Sequence, residues 1–200
     1  MRKSVGCERR ARGASEQDVS VPTYVAFLRA INLGPTRKFP KAAIVEAVED
    51  CGFTDVETYI NTGNVRFRCS LRSRAKVEQA LEKSFQEHAG FAVPTIVFTP
   101  AELRQVAADA VEVAKRHHDT GRHYVSLLKE KPSAAAVSKL EEMDHGEDLA
   151  VVRGRGAHLL VVTPTARGRL SNETVEKLLG VATNRNLTVV KHLAEKWGDG

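Results

Sequence analysis

The amino-acid sequence predicts an α+β protein of two subdomains. Three observations predict it. Between residues 23 and 99, apolar and alternating stretches follow the order strand–helix–strand–strand–helix–strand, the split βαβ or ferredoxin-like plan. A helix start with capping-box chemistry, Thr99-Pro100-Ala101-Glu102, closes that set. A second strand–helix–strand–strand–helix set then follows, with a further helix at its end. The first subdomain, 21–99, is therefore expected to be a βαββαβ unit whose antiparallel sheet carries helices on one face. The second, 100–200, is expected to be a related βαββα unit with an extra C-terminal helix. Residues 1–20, MRKSVGCERRARGASEQDVS, are basic and polar and read as a disordered tail or an upstream extension, without the apolar segment of a secretory signal.

Each element has its own signal. Residues 23–31, TYVAFLRAI, are apolar enough for a buried strand. Pro40 suits a helix start, Ile44, Val45, Val48 and Cys51 recur at helical spacing, and Gly52 suits the end. VETYI and VRFRC flank an NTGN turn. In VRFRC, Val65, Phe67 and Cys69 point one way and Arg66 and Arg68 the other. Val77, Leu81 and Phe85 mark a helix over 72–88, and TIVFT is the fourth strand. In the second half, HYVSLLK is a strand and Pro132 opens a helix bearing Val137 and Leu140. LAVVRG and AHLLVVT form a hairpin around Arg153-Gly154-Arg155-Gly156. Ser171 caps a short helix with Leu170 stapled to Val175, and Gly180 ends it. Thr183 or Asn184 is expected to cap a last helix that carries Val190, Leu193, Ala194 and Trp197. The two halves share no residues at fixed offsets, so the echo between them is topological.

Composition narrows the classes. A hydrophobic share of 42% supports a folded core, and no apolar run approaches the ~20 residues that cross a bilayer. Cys7, Cys51 and Cys69 lack Cys-x-x-Cys spacing and are odd in number. Buried thiols in a reducing cytoplasm are expected, with no membrane association. The net charge of +5 admits nucleic acid as a partner without favouring it, since acidic and basic residues are interspersed along the helices. VRFRC has none of the glycine and aromatic pattern that stacks RNA bases on a sheet.

Connectivity brings two loops together. In the split βαβ plan the first and third strands are antiparallel neighbours. The end of strand one, near Asn32, therefore faces the start of strand three, near Asn64. The loop Asn32-Leu33-Gly34-Pro35-Thr36-Arg37-Lys38 and the turn Asn61-Thr62-Gly63-Asn64 should share one edge. Turn chemistry alone accounts for Gly63 and either asparagine. Yet cations and amides beside a helix start also suit an anion. The expected site for a small phosphate- or carboxylate-bearing ligand is the edge formed by the 29–38 loop and the 61–64 hairpin. Its candidate residues are Arg29, Asn32, Lys38 and Asn64, with Arg185 and Asn186 reaching in from the last segment.

LRAINLG, GFTDVETYINTGNVRF and LLGVATNRN resemble the uncharacterised bacterial family catalogued as domain of unknown function 1697, over about Tyr24 to Trp197. The resemblance implies an α+β fold of two subdomains and no assigned activity. The family's Arg-Gly-Ile-Asn turn is matched by Arg29, Ala30, Ile31 and Asn32, with Ala in place of Gly. Its Ser-Gly-Asn turn is matched by Thr62, Gly63 and Asn64. Of its Thr-Arg-Asn-Trp-Asn-Thr run, Arg185 and Asn186 match, while Leu187, Thr188 and Val189 depart. Pro35 stands where a second Gly is usual, and Asn172 where Lys is common.

No phosphate-cradling glycine motif, zinc-protease motif or nucleophile elbow occurs, so no catalytic residue and no cofactor are assigned. His117-His118-Asp119 is not read as a metal site, because adjacent residues project in different directions from a helix. The alternatives to a small-anion site are a nucleic-acid-binding module using the basic surface, or a protein–protein interaction domain using an exposed sheet face. The oligomeric state is left open.

Overall fold

A computed structural model describes residues 21–61, 63–117, 121–162 and 169–199. The 1–20 tail with Cys7, Thr62 of the turn, and His118 and Asp119 lie outside them.

The first unit runs β1 (Thr23–Leu28), α1 (Lys41–Asp50), β2 (Thr54–Tyr59), β3 (Asn64–Arg68), α2 (Arg74–Ala89) and β4 (Thr95–Phe98). Its strands lie in the order β2-β3-β1-β4, every pair antiparallel. Helix α3 (Pro100–Arg116) links to β5 (Arg122–Leu128), α4 (Ala134–Glu141), β6 (Leu149–Arg153), β7 (Gly156–Val161), α5 (Asn172–Leu179), β8 (Ala182–Asn186) and α6 (Leu187–Trp197). The second sheet repeats the order as β6-β7-β5-β8. The fold is thus α+β with two ferredoxin-like units, as the element order predicts. The second unit has one strand more than expected: 182–186 is β8 rather than the approach to a capped helix.

Local chemistry explains the boundaries. Thr99 Oγ1 accepts from the Glu102 amide, and the Glu102 carboxylate accepts from the Thr99 amide, completing the capping box. Ser133 and Ser171 cap α4 and α5. The cap of α6 is Asn186, not Thr183 or Asn184; its side-chain oxygen accepts from Thr188 N at 2.8 Å.

The layers decide which residues stay accessible. One face of the first sheet packs on α1 and α2 through Val65, Phe67, Ile44, Leu81 and Phe85. The other face packs on α3 and α6, through Val25, Phe27, Ile96 and Phe98 against Leu103, Val106, Val190 and Leu193. Val125 and Leu127 of the second sheet join that same core, and α4 and α5 cover the second sheet's far side. The order is α1/α2, sheet, α3/α6, sheet, α4/α5. The first unit's own helices thus lie on one face of its sheet, as expected, and α3 and α6 cover the other, so neither sheet offers the exposed face that an interaction domain of that kind requires.

Two ion pairs cross between the units in a related manner. Arg29, just past β1, makes a double contact with Glu176 of α5, both at 2.6 Å. Lys129, just past β5, reaches Glu82 of α2 at 2.6 Å. The Arg29 amide bonds the Pro94 carbonyl and the Lys129 amide bonds the Val181 carbonyl, so the two halves hold each other at corresponding corners.

Candidate functional site

The end of β1 and the β2–β3 turn meet as connectivity requires. Leu28 N donates to Gly63 O at 2.8 Å, and Asn32 Nδ2 donates to Asn61 O at 2.7 Å. Gly63 is forced: its φ is +72°, and a Cβ there would stand 2.7 Å from Leu28 Cβ and 2.9 Å from Ile31 Cδ1. Ala30, Asn32 and Ile60 also take left-handed backbone, with φ of 56°, 55° and 48°. For Ala and Ile this is strained, and such residues gather at functional edges.

Asn32 organises the loop rather than offering its amide outward. Its Oδ1 accepts from Phe39 N at 2.9 Å, and its Nδ2 donates to Phe39 O and Asn61 O. Arg37 folds back over the same loop. It donates to Ala30 O at 2.7 Å and Ala92 O at 2.9 Å, with its guanidinium 4.4 Å from the Phe91 ring centre.

Other candidates from the sequence are likewise engaged by the protein. Arg185 is not directed outward from the last helix; it sits on β8, facing the middle layer, and is buried. Its Nε donates to Asn64 Oδ1 at 2.7 Å, Nη1 to Thr183 Oγ1 and the Asn184 carbonyl, and Nη2 to the carbonyls of Leu28 and Gly63. These partners are neutral oxygens, and burial pushes its pKa down to about 10. The charge persists at neutral pH and fastens β8 to the top of the first sheet. Asn64 is fully buried, donating to Tyr59 O while accepting from Arg185. Arg29 is held by Glu176, and Asn186 by its capping bond.

Two clefts flank the Asn32–Asn61 bond. One, of about 520 Å³, is lined by Asn32, Gly34, Lys38, Pro40, Lys41 and Asn61. It opens at the start of α1, which has no side-chain cap and no acidic residue in its first turn. Lys38, Lys41 and Asn61 are exposed there. Unanswered N–H groups and the helix dipole both favour negative charge at such an end. Of the sequence candidates, this cleft gathers Asn32 and Lys38. Lys41 and Asn61 join them; the Pro40 helix start and the turn asparagine were the signals for both. The second cleft, of about 590 Å³, lies between the units, with Arg29, Asn32, Asn61, Asn172, Thr183 and Asn184 on its walls.

A third groove, of about 580 Å³ at the opposite end, includes Arg66, Arg68 and Arg104. There Arg68 pairs with Asp55, Arg104 with Asp199, and Arg66 stands opposite Glu57 across β2–β3. Among the described residues no group of three or more metal-ligating side chains occurs, and no helix is long and apolar enough to cross a membrane.

Comparison with known families matches residues 21–157 to a model described as a protein of unknown function, DUF1697. Comparison with curated proteins finds no match. Among solved structures, a conserved bacterial protein from Streptococcus pneumoniae, SP0830, is similar at 19% identity with a TM-score of 0.65. The similarity covers 89% of this chain and 99% of that one. At that identity the likeness extends to the fold alone.

Proposed function

We propose that this chain, which belongs to the DUF1697 family of proteins of unknown function, binds a small anionic ligand at the start of α1. The observation that carries the reading is the pairing of an uncapped, carboxylate-free helix start with Lys38 and Lys41 around one cleft. The backbone N–H groups of Lys41, Ala42 and Ala43 offer directed donors, and the two ammonium groups supply charge without fixed geometry. Asn32 acts as a positioning residue: its three bonds hold the 33–38 loop so that Lys38 stays beside the helix end. A phosphate or carboxylate group fits this chemistry. The working compartment is the cytoplasm, in keeping with Cys51 and Cys69 being free thiols.

Thermal melting with phosphates, nucleotides and carboxylates tests the reading. A ligand at ten times its dissociation constant adds about 1.4 kcal/mol, or ~3–5 °C for a chain of this size. Lys38→Ala combined with Lys41→Ala should fold and lose the shift. A flat response across the whole panel, or an equal shift in the double variant, removes the reading. Nucleic acid would instead bind with a steep salt dependence that tracks the number of phosphates contacted.

A further inference from the structure

We draw no further inference here: the strongest candidate, the cleft of about 350 Å³ between α3 and the β6–β7 turn, carries nothing because Glu102 already pairs with its Arg74 and Arg155, the carbonyls of Leu128, Val97 and Lys129 hold Arg155 in place, and nothing in the structure shows what would occupy it.

Discussion

Arg185 is the residue whose role differs most from its sequence signature. In ATNRN it reads as a solvent-facing cation beside a helix, yet hydrogen bonds to Asn64, Thr183, Asn184, Leu28 and Gly63 hold its guanidinium inside the molecule. Asn64 differs from its sequence signature for the same reason: it shares a strand face with Arg66 and Arg68, yet it is fully buried. The groups that cover that face come from 121 residues further along, which no local pattern encodes. Arg185→Ala strips a partner from Asn64 Oδ1, Thr183 Oγ1 and the carbonyls of Asn184, Leu28 and Gly63, and should cost ~3 kcal/mol in chemical denaturation. Lysine cannot replace the planar fork, so Arg185→Lys should recover little. A second buried group sets the acid response. Both ring nitrogens of His158 lack a hydrogen-bond partner among the described residues, and its ring lies 5.5 Å from that of His123. Burial, with smaller contributions from His123 and Arg153, pushes its pKa from 6.5 to about 3. The folded state therefore binds fewer protons than the unfolded state between those values. Stability should be full above about pH 6.5 and fall by up to ~1.4 kcal/mol per unit as pH drops toward 3. Denaturation midpoints across that range should show the fall, and His158→Leu should flatten it.

The strands and helices were legible where their signals were local. The capping box at Thr99, the serine cap of α5 and the left-handed Gly52 and Gly180 all stand where their chemistry places them. Strand β8 was hidden because its sequence is polar and does not alternate apolar with polar. Its pairing with β5, in which Val125 faces Arg185, depends on the whole second unit. Edge strand β4 shows another non-local solution. Its Thr95 and Val97 amides donate to Glu82 and Glu78 of α2, and its Val97 carbonyl accepts from Arg155. The strand thus lacks the row of unpaired groups that invites pairing with another chain. Because Asn186 ends β8 and caps α6 in one position, Asn186→Ala should cost ~1 kcal/mol of stability. Anion affinity should stay unchanged, as thermal melting with and without ligand can check.

The assembled layers determine what remains available for binding. Helices α3 and α6 sit between both sheets in one continuous core, and the Arg29–Glu176 and Lys129–Glu82 pairs join the units at two corners. Neither half can lose that core without exposing the other, so the chain should unfold in one transition. The single tryptophan, Trp197, is buried in that shared core. Its fluorescence should change together with far-ultraviolet dichroism, whereas separated transitions would mean that the units fold independently. The meeting of the 29–38 loop with the 61–64 turn was readable from connectivity; the division of that edge into two clefts was not, because Asn172, Thr183, Asn184 and Arg185 of the second unit complete the wall of one of them. Amide resonances report residue by residue on an anion at the start of α1. Titrating inorganic phosphate into the labelled chain should move the backbone amides of Lys41, Ala42 and Ala43 saturably, with little change around Arg66, Arg68 and Arg104. Static resonances at 41–43, with movement confined to those three arginines, would contradict it.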